Sequence, residues 1–232
     1  MLVVTGGSKG VGRAIIEKFA AAGHKTIVTC ARQEQELALA AQELANNYGT
    51  QLLYCVADLA NREDQKKFVD FVLAQNQRVE ILVNNAGFFQ QGQLHNEPEG
   101  ILEKTMNTNL YSAYYITKGL LDSMLAVQKG HIFNICSVAS LAPLPNCGSY
   151  CISKFAMYGM SQVFREELKP YNIKVTSVLL GATLTDSWKG VPIAPERLVH
   201  PQDVAEAILG AYNLSERTVI EELLIRPQLG DL

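Results

Sequence analysis

The sequence predicts a single-domain α/β fold: a doubly wound, seven-stranded parallel sheet with helices on both faces. Three observations predict it. Short β-branched apolar runs recur from end to end, stretches with helical spacing lie between them, and no Ser/Gly/Pro-rich linker, repeat or low-complexity tract divides residues 1–232. Strands alternating with helices imply right-handed crossovers, and these bring a parallel sheet covered on both faces.

The apolar runs fall at residues 2–5, 26–30, 52–57, 81–84, 131–136, 174–179 and 219–225. After the first, residues 13–22 place Ile15, Ile16, Phe19 and Ala20 on one side of a helix. Residues 66–74 repeat the pattern with Phe68, Phe71 and Val72. A further helical stretch starts at Tyr150 and continues through Phe155, Met160 and Phe164. The least regular segment is 183–201, with Trp188, Gly190, Pro192, Pro195 and Pro201 and few charges, Lys189 and Glu196 among them. It follows the sixth strand, so it is expected to cover the carboxyl ends of the strands, where open α/β sheets bind ligands, and to serve as the substrate loop. Trp188 is either a lid over that site or loop packing.

Composition narrows the function classes. The chain is 48% hydrophobic, ordinary for a protein with a buried core, and its net charge of -3 argues against a nucleic-acid or anionic-membrane surface. Residue 1 leads straight into a strand, so no leader peptide is expected. Without a run of about 18 apolar residues no spanning helix is expected either. Cys30, Cys55, Cys136, Cys147 and Cys151 are odd in number and lie in apolar stretches, as buried free thiols of a reducing cytosol would. The four histidines, His24, His95, His131 and His200, show no metal-ligand spacing and read as surface or strand-end residues.

The chemistry begins after the first strand, at Thr5-Gly6-Gly7-Ser8-Lys9-Gly10-Val11-Gly12. Gly6 permits a tight turn, Gly10 lets the backbone approach a pyrophosphate, and Gly12 allows close helix–strand packing. The helix that follows offers free N–H groups and a partial positive charge to phosphate. A glycine-rich turn without a ligand is the alternative; the strand–loop–helix context favours a dinucleotide. The second strand ends Thr29-Cys30-Ala31-Arg32, without the acid that would bind a ribose 2′-hydroxyl. Lys9 and Arg32 are instead placed to meet a 2′-phosphate, so NADP(H) is the expected cofactor, unless both are solvated surface cations.

Tyr150 and Lys154 are spaced i and i+4, on one helical face. A tyrosine with a pKa of about 10 is a poor acid near neutrality, and a neighbouring ammonium would lower that value. Ser137 ends the fifth strand, where a hydroxyl can polarise a carbonyl oxygen.

The glycine spacing, the Asn84-Asn85-Ala86-Gly87 run and the Tyr150–Lys154 pair together resemble the short-chain dehydrogenase/reductase family, over nearly the whole chain. The resemblance implies a Rossmann fold and a catalytic tetrad of Asn109, Ser137, Tyr150 and Lys154. Tyr150 would exchange the proton, Ser137 orient the oxygen, Lys154 hold the nicotinamide ribose and tune Tyr150, and Asn109 hold a water joining the lysine to solvent. Asn107 competes with Asn109 for that role.

The resemblance also implies adenine contacts from Asp58 and Leu59, and a lining of the cofactor site by Asn85, Ala86 and Gly87. Gly181, Thr183 and Thr185 would lie at the nicotinamide end, with Thr185 on the carboxamide. Where the family commonly has Pro-Gly, this chain has Leu180-Gly181, which frees φ and adds a donor at that turn.

Further implications are a homodimer or homotetramer joined through helices around 99–128 and 150–169, and a small-molecule carbonyl or alcohol substrate. Phe88, Phe89 and His95 could border the substrate pocket. The short loop and the C-terminal segment resemble sepiapterin-reductase-like members, with 3-oxoacyl-carrier-protein reductases as the other possibility. A catalytically silent dinucleotide sensor is the reading from a different class, and it has no need of Tyr150 beside Ser137.

Overall fold

Leu2–Thr5 forms β1, with all four residues buried, and the chain then turns into α1, Gly10–Ala21. The structure, a computed structural model, describes residues 1–188 and 190–231, so Lys189 of the expected substrate loop lies outside the described residues. The order continues β2 (Thr26–Ala31), α2 (Glu34–Tyr48), β3 (Gln51–Val56), α3 (Arg62–Leu73) and β4 (Ile81–Asn84). After β4 come α4 (Ile101–Met106), a π turn (Asn107–Tyr111) and α5 (Ser112–Leu125). The last third holds β5 (Gly130–Ser137), α6 (Gly148–Leu168), β6 (Ile173–Leu180), α7 (Pro201–Tyr212) and β7 (Glu222–Ile225).

The seven strands lie in the order β3-β2-β1-β4-β5-β6-β7, and every neighbouring pair is parallel. The order reverses between β1 and β4, and this switch point opens a crevice at the carboxyl ends of the strands.

Alternation along each strand builds two cores. Leu2, Val4, Ile27, Ile81 and Val83 pack with Ile15, Ile16 and Phe19 of α1 and Val204 and Ile208 of α7. Val3, Val28 and Leu82 face the other way, onto Phe68 and Val72 of α3 and Ile116 and Leu120 of α5. Phe19 and Phe68, each fully buried, are worth about 1.5–3 kcal/mol apiece. The period of two in the strands and the stripe on each helix thus give helices on both faces.

A buried polar chain crosses the middle of the sheet. Asn84 Nδ2 donates to Thr117 Oγ1 at 2.9 Å and to Asn134 Oδ1 at 2.8 Å. Asn134 Nδ2 reaches Ser161 Oγ at 2.9 Å, and Ser177 Oγ donates to that same hydroxyl at 2.8 Å. This network ties α5 and α6 to the sheet, while Asn84 Oδ1 is buried without a hydrogen-bond partner among the described residues. Asn84 is therefore structural in its side chain.

Several boundaries differ from the sequence reading. α1 starts at Gly10 and α3 at Arg62, about one turn earlier than their apolar stripes, because the glycines that open α1 and the polar residues that open α3 carry little hydrophobic signal. β7 begins at Glu222, although Thr176 Oγ1 already binds Ile220 O at 2.6 Å.

His131 is not a surface residue: it is 2% exposed, its Nε2 lies 2.8 Å from Thr176 Oγ1, and its ring stacks on Phe133 at 3.9 Å. Its position on a central strand decided this. His95 and His200 are exposed, and all five cysteines are buried and unbonded. Among the described residues, no helix is long and apolar enough to cross a membrane.

Candidate active site

β1 and β4 are neighbours, so the glycine loop and the Asn84–Gly87 run meet at the switch point. Thr5 Oγ1 accepts the backbone N–H groups of Asn85 and Ala86, both at 2.9 Å. Asn85 Nδ2 returns hydrogen bonds to Thr5 O at 2.8 Å and Gly6 O at 3.1 Å. Thr5 is 2% exposed, and its hydroxyl is spent on joining the two loops.

Gly6 (φ 69°) and Gly10 (φ 58°) adopt the left-handed backbone that makes the loop. A Cβ on Gly12 would lie 2.4 Å from Gly6 O and 2.5 Å from Asn85 Nδ2, so only glycine lets α1 close on the loop. α1 opens with no side-chain cap at Lys9 and no acid in its first turn. Its first N–H groups and its dipole therefore face the crevice, an arrangement suited to a dinucleotide phosphate. Val11 is buried beneath that turn, and Ser8 is half-buried on its rim. The loop after β6 closes over it: Thr185 Cγ2 is 3.4 Å from where a Gly10 Cβ would stand.

Lys9 Nζ is paired with Glu36 at 2.6 Å and Asp186 at 3.5 Å. Arg32 is exposed and makes no ion pair among the described residues. Asp58 is exposed, its Oδ1 accepting from Ala60 N at 3.1 Å, while Leu59 is buried in the core beside it. Gly87 is exposed at the mouth of the crevice.

Ser137 closes β5, and its Oγ accepts from Ala139 N at 3.1 Å in a short turn that fixes the side chain. α6 brings Tyr150 to this hydroxyl. Burial of its hydroxyl end pushes the Tyr150 phenol up to about 12, and a hydrogen bond with Ser137 acts in the opposite direction. Phe89 meets the phenol ring edge-on, with centroids 5.0 Å apart. Lys154 is 4% exposed; its Nζ donates to Ile135 O at 2.7 Å and lies 5.8 Å from the Tyr150 ring centroid. Burial lowers its pKa. The shared face holds as the spacing required, but in this arrangement the ammonium turns to β5 and burial dominates the phenol.

Asn109 is fully buried in the π turn, and it is the asparagine that reaches the centre. Its Oδ1 accepts from Phe88 N at 2.6 Å. Its Nδ2 donates to Phe88 O at 3.0 Å and to Ser153 Oγ at 2.9 Å, and Ser153 Oγ donates to Tyr150 O at 2.8 Å. Asn109 thus ties the loop after β4 to the turn that carries Tyr150. Neither the π turn nor Ser153 carries a sequence signal, since each depends on packing between α5 and α6. π bulges of this kind often mark functional sites.

Leu180 ends β6, in register with Ser137 of β5 and Ile225 of β7, and just beyond it Gly181 N donates to Ile225 O at 2.8 Å. Thr183 is buried and donates to Gly181 O at 2.9 Å. The 183–201 segment is closed at its base by Leu184 N to Val199 O and Val199 N to Ala182 O, both 2.9 Å.

An apolar cavity of about 570 Å³ is lined by Leu94, Leu144, Cys147, Cys151 and Phe155. It flanks the Tyr150 turn without including Tyr150 or Ser137. A second cleft of about 430 Å³ lies at the start of α1.

The signature of the short chain dehydrogenase family matches residues 1–194. The chain belongs to the short-chain dehydrogenase family. It is 33% identical over 239 residues to the sepiapterin reductase of Chlorobaculum tepidum, spanning 100% of this chain and 98% of that one. The fold superposes on a metagenomic short-chain oxidoreductase in complex with NADP, with a TM-score of 0.85 at 28% identity, covering 98% of this chain and 96% of the other. It also superposes on an alcohol dehydrogenase from the archaeon Thermococcus sibiricus complexed with 5-hydroxy-NADP, with a TM-score of 0.89 at 27% identity over 98% and 97% of the two chains. As a short-chain dehydrogenase it is an oxidoreductase acting on CH–OH or C=O groups.

Proposed function

We propose that this chain is an NADP(H)-dependent carbonyl reductase that interconverts a ketone or aldehyde with its alcohol, using Tyr150 as general acid/base. The observation that carries the reading is the hydrogen bond between Tyr150 and Ser137, with Lys154 Nζ 5.8 Å from the Tyr150 ring. The NADP ligands of the two solved relatives, together with Lys9 and Arg32 in this chain, support the phosphorylated cofactor.

Gly6, Gly10 and the start of α1 would receive the pyrophosphate, Lys9 and Arg32 the 2′-phosphate, and Thr183 and Thr185 would face the nicotinamide. When bound, the reduced nicotinamide supplies the hydride. Ser137 donates to the substrate oxygen and Tyr150 gives that oxygen its proton. Lys154 turns from Ile135 O toward the ribose and phenol, and Asn109 holds the Tyr150 turn in place through Ser153.

The 183–201 segment chooses the substrate, and α5 and α6 join protomers through exposed Tyr111, Tyr114, Phe155 and Val163. A pterin-type ketone heads the list of substrates, on the likeness to the Chlorobaculum tepidum protein.

The test is NADPH oxidation over ketones, quinones, pterins and 3-oxoacyl thioesters, repeated with NADH. Tyr150→Phe should lower turnover about 10²–10⁴-fold while NADPH binding persists. Tight NADPH binding with no turnover of any carbonyl would replace this reading by the silent sensor.

A further inference from the structure

The end of β2 offers no acid to a ribose 2′-hydroxyl, yet the fold brings one from elsewhere. Glu36 lies in the first turn of α2 and points back at the glycine loop, Oε1 on Lys9 Nζ at 2.6 Å. Its other oxygen, Oε2, is buried with no hydrogen-bond partner among the described residues. Both belong to the cleft of about 430 Å³ that Ser8, Lys9, Gly10 and Arg13 also line.

The two cations that line this cleft, Lys9 and Arg13, are already paired. Arg13 is taken by Glu17 and Glu43, each at 2.7 Å. Lys9 is shared between Glu36 and Asp186. Ser8 also hydrogen-bonds the Glu36 carboxylate. A phosphate arriving at Lys9 meets that carboxylate, a like charge, whereas a ribose hydroxyl meets a hydrogen-bond acceptor. Lys9 is half exposed, so its pair with Glu36 rearranges at little cost.

We propose that Glu36 is the residue that sets cofactor choice in this chain. Its carboxylate accepts the 2′-hydroxyl of NADH and competes with the 2′-phosphate of NADPH for Lys9, so the protein uses both cofactors. The proposal rests on the nicotinamide-cofactor reading above.

The experiment titrates the purified protein with NADPH and with NADH, following the fluorescence of the dihydronicotinamide, for wild type, Glu36→Gln, Glu36→Ala and Lys9→Ala. Glu36→Ala should shift the ratio of the two Kd values toward NADPH by about tenfold or more, the weight of one charge-assisted hydrogen bond. Glu36→Gln, which keeps the side-chain volume, should tighten NADPH even if the alanine variant folds poorly. Lys9→Ala should weaken NADPH and leave NADH unchanged. If both Kd values move together in the Glu36 variants, or neither moves, Glu36 serves only the start of α2 and this inference fails while the cofactor reading stands. A wild-type protein that binds neither dinucleotide overturns both.

Discussion

Lys154 directs its ammonium to the backbone carbonyl of Ile135, 2.7 Å away, from one helical turn beyond Tyr150. The lysine that should acidify the phenol is thus docked on the neighbouring strand, and burial sets the phenol high, at about 12. In the proposed mechanism, positive charge would reach the phenol when the oxidised nicotinamide binds, or when Lys154 swings away from Ile135. Either change favours the phenolate.

The pH behaviour follows. In the free protein the phenol should ionise near pH 12, against 10 for an ordinary tyrosine. The folded value is raised, so the stability it lends is full below pH 10 and fades as pH rises through about 12. Lys154→Met should move the phenol of the free protein by less than about one unit, because burial governs it. A rise of two units or more, read from the tyrosinate absorbance that Tyr150→Phe removes, would restore the ammonium to the leading role. Alcohol oxidation should gain its alkaline limb at a lower pH than this free-protein titration.

Asn109→Asp tests the link through the π turn. The variant keeps an acceptor for Phe88 N but loses the donors to Phe88 O and Ser153 Oγ, and it buries a charge. A loss of about 3 kcal/mol in urea unfolding is expected, with turnover falling more than stability accounts for. Wild-type stability in this variant would mean that Phe88 and Ser153 do not depend on the amide.

Two glycine substitutions should have opposite signs. Gly12→Ala places a methyl group on Gly6 O and Asn85 Nδ2, which are backbone and an already committed amide. It should cost about 3 kcal/mol and abolish NADPH binding. Gly210→Ala in α7 meets nothing within 4 Å and should add about 0.5–1 kcal/mol. Thermal unfolding and cofactor titration read both, and equal effects would show that the loop yields where the geometry says it cannot.

His131 makes acid stability specific. Burial lowers its pKa from 6.5 to about 3. A lowered folded value means stability that is complete above pH 6.5 and is lost as pH falls toward 3, at up to roughly 1.4 kcal/mol per pH unit. Urea midpoints measured across that window should fall less steeply for His131→Asn. Parallel slopes would place the acid transition on other groups.

The nearest approach between sequence and structure is at residues 5–12 and 137–154. There strand, turn and helix follow one another directly, so spacing alone puts Gly6, Gly10 and Gly12 in the loop and Tyr150 and Lys154 on one face. Thr5 opens that loop, and its buried hydroxyl is joined to Asn85 and Ala86, a partnership about 80 residues away in sequence.

By itself, then, the order of residues determined the α/β class, the parallel sheet, the glycine turn and the shared helical face of Tyr150 and Lys154. All of these rest on periodicity and short-range spacing. Only the tertiary structure decided that Lys154 faces Ile135, that Asn109 sits in a π turn holding Phe88 and Ser153, that Glu36 meets Lys9, and that His131 is buried. Each of those depends on which elements the crossovers bring side by side, and on burial, a property that no local stretch of chain possesses.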